Sequence, residues 1–120
     1  LSLHDALPIC LIFEEILYNL CDNGIKYNKD NGTVTIHLKD IGNAIQISVE
    51  DNGIGIPRED RNRVFERVYR VDKSHSKEIG GTGLGLSIVK HGVAFLGGTL
   101  KLTSEVDSGT EITVTLPKQA

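Results

Sequence analysis

An α+β domain, with two helices set among paired short strands, is the fold class this sequence predicts, and three patterns predict it. Residues 13–27 and 84–96 carry apolar positions at helical spacing. Residues 33–38 and 44–49 alternate apolar and polar side chains, and residues 99–103 and 111–116 also read as strands. Glycine-containing turns at 40–43 and 107–109 join the strands of each pair. The 120 residues suit one domain with one core. Apolar residues make up 39% and aromatics only 5%, so Val, Ile and Leu must fill that core.

Residues 1–9 fit poorly with the rest of the chain. LSLHDALPI resembles the peptide obtained by translating a common sequencing-adapter read, so we expect it to be non-native and leave it out of the fold reading. On that expectation the domain occupies residues 10–120, and a cut at its N-terminus would account for a missing first strand. In the first helix Ile16, Leu17, Leu20 and Ile25 lie on or near one face, while Asn19, Asn23 and Lys26 share another. Asn28–Gly32 is a turn by composition. The next strand puts Val34, Ile36 and Leu38 on one side, as a half-buried strand should, and its partner does the same with Ile45, Ile47 and Val49. Residues 58–81 are polar and charged, with one short helical piece at 62–69. A connection that long in a small domain is a functional lid or disordered. The second helix sets Leu84, Ile88 and Phe95 near one stripe.

Composition excludes several functions. The net charge is −3, from 13 Lys and Arg against 16 Asp and Glu. That argues against nucleic acid, whose backbone demands a concentrated basic face. Cys10 and Cys21 make no CxxC, so neither a disulfide framework nor a zinc site follows, and a reducing cytosol is the simplest setting. No apolar run approaches the roughly 18–20 residues that a membrane span requires.

Three residue groups carry chemistry. Gly80-Gly81-Thr82-Gly83-Leu84-Gly85-Leu86-Ser87 runs into the second helix. Glycines admit close backbone approach, and a helix start offers unpaired N–H groups, so the pair makes a phosphate cradle. A flexible hinge would read the same way. The segment is neither a Walker P-loop, since no GK[ST] follows, nor a GxGxxG dinucleotide loop. Asp51-Asn52-Gly53-Ile54-Gly55 follows a strand. A buried carboxylate there accepts a hydrogen bond from the exocyclic amine of adenine and disfavours the carbonyl of guanine. An ordinary Asp-Asn-Gly turn is the plainer reading. Asn19, Asn23 and Lys26 form the third group. An amide oxygen can bind Mg²⁺ when phosphates and waters complete the shell, and Lys meets a phosphate as a point charge. A solvated helix face would show the same pattern.

In this order, Asn-x₃-Asn-x₂-Lys-Tyr, Asp-x-Gly-x-Gly, Phe-x-Arg-x-Tyr-Arg and Gly-Thr-Gly-Leu-Gly-Leu resemble the catalytic, ATP-binding domain of sensor histidine kinases, in the GHKL ATPase superfamily. The match runs from about Phe13 to Pro117. The resemblance implies a two-layer α/β sandwich, a mixed sheet covered on one face by helices, with a mobile ATP lid at about 57–81. It makes Asn23 the Mg²⁺ ligand, with Asn19 its companion near the phosphates. Lys26 would contact phosphate, and Tyr27 would pack on the adenine or ribose. Asp51 would bind the adenine amine, supported by Gly53, Gly55 and Ile56. Phe65 would anchor the lid and Arg70 would contact the γ-phosphate. Thr82, Gly83, Leu84, Gly85 and Leu86 would line the phosphates. Two departures stand out. Gly24 replaces a common Ala, and no phosphoacceptor box precedes the domain. In His4-Asp5-Ala6-Leu7-Pro8 the proline comes one residue too early for that box. His37, His75 and His91 read as surface residues.

The resemblance further implies phosphoryl transfer from Mg·ATP to a histidine on a separate dimerisation domain, missing here, within a homodimeric parent that serves a response regulator. Many such parents are anchored in a membrane. Three alternatives stand beside it. ATP-hydrolysing gyrase, MutL or Hsp90-type relatives carry a Glu where this chain has Asn19, and an amide is a poor general base. An anti-sigma-factor kinase would phosphorylate Ser on a partner. A non-catalytic module would use ATP only to order its lid.

Overall fold

The computed structural model describes residues 3–61, 63–65 and 85–118, with side chains from Ile9 onward. The elements run in the order α1 (Leu3–Lys26), β1 (Val34–Asp40), β2 (Ala44–Asp51), a 3-10 turn (Arg58–Asp60), α2 (Gly85–Phe95), β3 (Thr99–Glu105) and β4 (Gly109–Pro117). Among the described residues the strands make one sheet in the order β1-β2-β4-β3. Every junction is antiparallel. The mixed sheet implied by the resemblance is therefore corrected for this region. Each short connection folds its two strands back on one another, which only antiparallel pairing allows, and β2 meets β4 in the opposite sense as well.

Register explains the layering. Ile47 faces Leu38 and Val114, and Val49 faces Ile36 and Ile112, so these side chains share one side of the sheet. Leu100 and Leu102 continue that side across β3. Ile16 and Leu20 of α1 and Val89 and Val93 of α2 close on it, forming one core with Val49, Ile112 and Val114. The other side is polar, as an antiparallel sheet permits. There Ser48 and Thr113 join hydroxyls at 2.9 Å, and the Gln46 amide donates to Thr115 at 3.3 Å. The two-layer α+β architecture thus stands.

The elements differ from expectation in bounds and in faces. α1 begins at Leu3 rather than Phe13, so the backbone of residues 3–9 continues the helix. Pro8 costs the helix one hydrogen bond without ending it. Ile25 is exposed, because the inward face runs through Ile12, Ile16, Leu20 and Gly24 at a spacing of four. On α2 the inward residues are Leu86, Val89 and Val93, with Leu96 just past its end, whereas Phe95 is 71% exposed. Ile36 and Leu38 are 53% and 72% exposed although they point to the helix side. The helices sit over the central strands, so only Val34 of edge strand β1 joins the core.

Candidate functional site

The last turns of α1 run past two other segments. Near the first, Asn19 donates its amide to the Glu15 carbonyl at 2.7 Å. Its Oδ1 faces the start of α2, where a Cβ on Gly85 would lie 3.2 Å away. One turn later Asn23 is partly buried, and Gly24 beside it lies against Asp51. Asn19, Asn23, Asp51 and Gly85 are thereby gathered at one end of the domain. Lys26 is engaged elsewhere: its Nζ pairs with Asp22 at 3.0 Å, one helical turn back. Such a partly exposed pair, four residues apart on a helix, is worth only about 0.3–0.5 kcal/mol, so it yields readily to a competing anion.

Asp51 ends β2 with its side chain inward, opposite Thr110 of β4. Its Oδ1 accepts the Gly53 N–H at 2.9 Å. Half-burial pushes this carboxyl above the ordinary aspartate range, against the hydrogen bonds from the Gly53 and Thr110 amides, which pull it back. A poorly solvated acceptor that keeps spare lone pairs is suited to a ligand N–H.

The loop after Asp51 is fastened on every side. The Thr33 amide donates to Asn52 Oδ1 at 2.7 Å. The Ile54 amide reaches the Tyr27 carbonyl at 3.3 Å, and the Ile54 carbonyl accepts from Asp107 at 2.9 Å. The Ile56 amide donates to Ser104 Oγ at 2.8 Å, and Arg61 Nε donates to the Ile56 carbonyl at 3.2 Å. Gly53 and Gly55 are buried within it. A Cβ on Gly53 would strike the Tyr27 carbonyl, and one on Gly55 would strike the Glu105 carbonyl. Gly55 also has φ +74°. These glycines make room for neighbouring backbone, besides any support they give Asp51.

Other expected residues fall differently. Tyr27 is partly buried beside the loop, and Ile56 is buried in it. Leu86 packs against the core cluster. Phe65 is partly buried, and it is its neighbour Val64 that is buried. Arg70, Thr82, Gly83 and Leu84 lie outside the described residues, as do most of the helical piece at 62–69 and most of the lid. Sequence reading missed Ser104 and Thr110, both buried and polar. Each stands at a strand end, one residue outside the bounds expected from the sequence, on the side occupied by Leu102 and Ile112. A polar residue at an inward position was the available signal. Among the described residues no helix is long and apolar enough to cross a membrane, and no group of three or more His, Cys, Asp or Glu could hold a metal ion.

Residues 11–120 match the HATPase_c family, described as histidine kinase-, DNA gyrase B-, and HSP90-like ATPase. The chain is 45% identical over 100 residues to the sensor-like histidine kinase SenX3 of Mycolicibacterium smegmatis, covering 83% of this chain and 26% of that protein. It therefore spans about a quarter of that relative's length. Among solved structures, the mycobacterial sensor histidine kinase MprB superposes with a TM-score of 0.74 at 32% identity, covering 86% of this chain and 70% of that one. Full-length ShkA in complex with AMPPNP gives a TM-score of 0.74 at 30% identity, over 88% of this chain and 21% of that one.

Proposed function

Because this chain belongs to the family of histidine kinase-, DNA gyrase B- and HSP90-like ATPases, we propose that it binds Mg·ATP and presents the γ-phosphate to a histidine on a separate phosphoacceptor domain, within two-component signalling. The observation that carries this is the half-buried Asp51 carboxyl, lying against the α1 turn that bears Asn23.

In this reading Asp51 accepts the exocyclic amine of adenine, with Gly53, Gly55 and Ile56 forming the floor and Tyr27 beside it. Gly85 and Leu86 open α2, whose first N–H groups have no helical partner and suit a phosphate. Asn23 would hold Mg²⁺ through its amide oxygen, with Asn19 close by. A carboxylate-poor site fits a metal that takes most of its oxygens from phosphate and water. When bound, Mg²⁺ neutralises charge on the triphosphate. Lys26 would leave Asp22 to meet a phosphate. Arg70, Thr82, Gly83 and Leu84 complete the set by their place in the motifs, with Phe65 anchoring the lid. The chain's contribution is positioning and charge, and the nucleophile comes from the partner domain. SenX3, MprB and their like are named as histidine kinases, and Asn19 stands where hydrolysing relatives carry a glutamate base, which supports transfer over hydrolysis. A homodimeric parent and a downstream response regulator belong to the same proposal.

The test is calorimetry with ATP and Mg²⁺, followed by labelled ATP with a purified phosphoacceptor domain. Label on the histidine of that domain supports the proposal. Tight binding without transfer favours a nucleotide-sensing module. Turnover without an acceptor, lost on Asp51→Asn, favours an ATPase.

A further inference from the structure

We propose that Ser104 is a positioning residue for purine selection, because its hydroxyl fixes both the loop after Asp51 and the direction of the Thr110 hydroxyl proton. This rests on the nucleotide reading of the site.

Ser104 is 5% exposed and points inward, in line with Leu100 and Leu102 along β3. A hydroxyl buried there is costly unless bonded. Its Oγ has three close partners: the Ile56 amide at 2.8 Å, the Gly109 carbonyl at 3.0 Å and the Thr110 hydroxyl at 2.8 Å. A serine hydroxyl offers one proton and two lone pairs. The Gly109 carbonyl can only accept, so it takes the proton. The Ile56 N–H can only donate, so it fills one lone pair. The Thr110 hydroxyl must then donate into the other. All three valences of Ser104 are satisfied, and the proton of Thr110 is committed away from Asp51.

The consequence reaches the ligand. Thr110 stands directly across from Asp51, and its backbone N–H donates to that carboxyl. With its proton held by Ser104, the Thr110 oxygen retains acceptor capacity alone. The Asp51 carboxylate is likewise an acceptor. Two neighbouring acceptors favour a base edge that presents N–H groups and penalise one that presents a carbonyl. Removing the Ser104 hydroxyl frees the Thr110 proton to turn toward the carboxylate, and it unfastens Ile56 at the same time. Base selectivity, beyond simple affinity, is then lost.

The experiment is calorimetric titration of the whole chain with ATP and with inosine triphosphate, both with Mg²⁺. The two ligands share a triphosphate and differ at the base, where inosine carries a carbonyl in place of the amine that Asp51 would accept from, and a protonated N1 beside it. Ser104→Ala is expected to shrink the ATP-over-inosine ratio about tenfold, and Ser104→Thr, which keeps a hydroxyl, to restore most of it. An unchanged ratio in folded Ser104→Ala, with ATP binding still dependent on Asp51, overturns the role of Ser104 alone. If the unaltered chain does not bind ATP, or binds it equally well after Asp51→Asn, the nucleotide reading falls and this inference with it. Should Ser104→Ala not fold, amide exchange in the unaltered chain decides. The Ile56 N–H is expected to exchange as slowly as the β2–β4 ladder, and exchange at the rate of an open loop overturns the proposal.

Discussion

Asp51 is held where its charge is poorly solvated, and that gives it a distinctive pH signature. Its carboxyl titrates above the ordinary aspartate value in the folded chain. At low pH it is protonated in the folded and unfolded chain alike and imposes no electrostatic cost. As pH rises through the unfolded value the unfolded chain ionises first, so the stability this group provides is lost across the window up to its raised folded value. Carbon-13 NMR titration of the side chain should give a midpoint above that of an unstructured aspartate peptide, and a midpoint at or below it would contradict the burial argument. Asp51→Asn should weaken ATP binding at least about tenfold by calorimetry. It should change the stability of the ligand-free fold by less than about 1 kcal/mol, because the charge penalty is relieved while one of two acceptor oxygens is lost. The carboxyl itself was legible in the sequence as an acid at a strand end before two glycines. What fastens its loop was not, because Ser104 and Asp107 reach it from 48 and more residues away through pairings that no local pattern encodes.

At the scale of elements, α1 and the loop beside it offer a clean contrast between two glycines. Gly24 is helical, and a Cβ there would meet Val34 at an ordinary 3.4 Å. Gly24→Ala is therefore expected to stabilise the domain by about 0.5–1 kcal/mol through helix propensity, read as a higher midpoint in urea. Gly55→Ala is expected to destabilise it by more than about 2 kcal/mol, since the methyl meets the Glu105 carbonyl in a left-handed conformation. The elements themselves were readable because helical and alternating periodicities are local signals. Their faces were less so. Both helices carry apolar residues around much of their circumference, and which stripe turns inward is decided by the sheet beneath. Hence Ile25 and Phe95 look like core in the sequence and are exposed in the fold.

Across the whole molecule, burial divides the sheet into a covered centre and a bare margin, and substitutions should respect that division. Leu20→Ala, at a site only 2% exposed, should cost about 2–5 kcal/mol in chemical denaturation. Leu38→Lys on β1 should change stability by less than about 0.5 kcal/mol. It should also reduce concentration-dependent association in light scattering, since an open strand edge with apolar side chains invites pairing. The sequence showed which strands pair within each hairpin, but not that β4 would insert between β2 and β3, which is a property of the closed domain. That closure has a consequence in time. The loop beyond Asp51 is bonded to Tyr27, Thr33, Ser104 and Asp107, which come from both ends of the chain. Half a domain emerging during synthesis owns at most part of those anchors. Competence to recognise a base should therefore arrive late, in one step with the docking of the β3–β4 hairpin, and would serve as a marker that folding has finished.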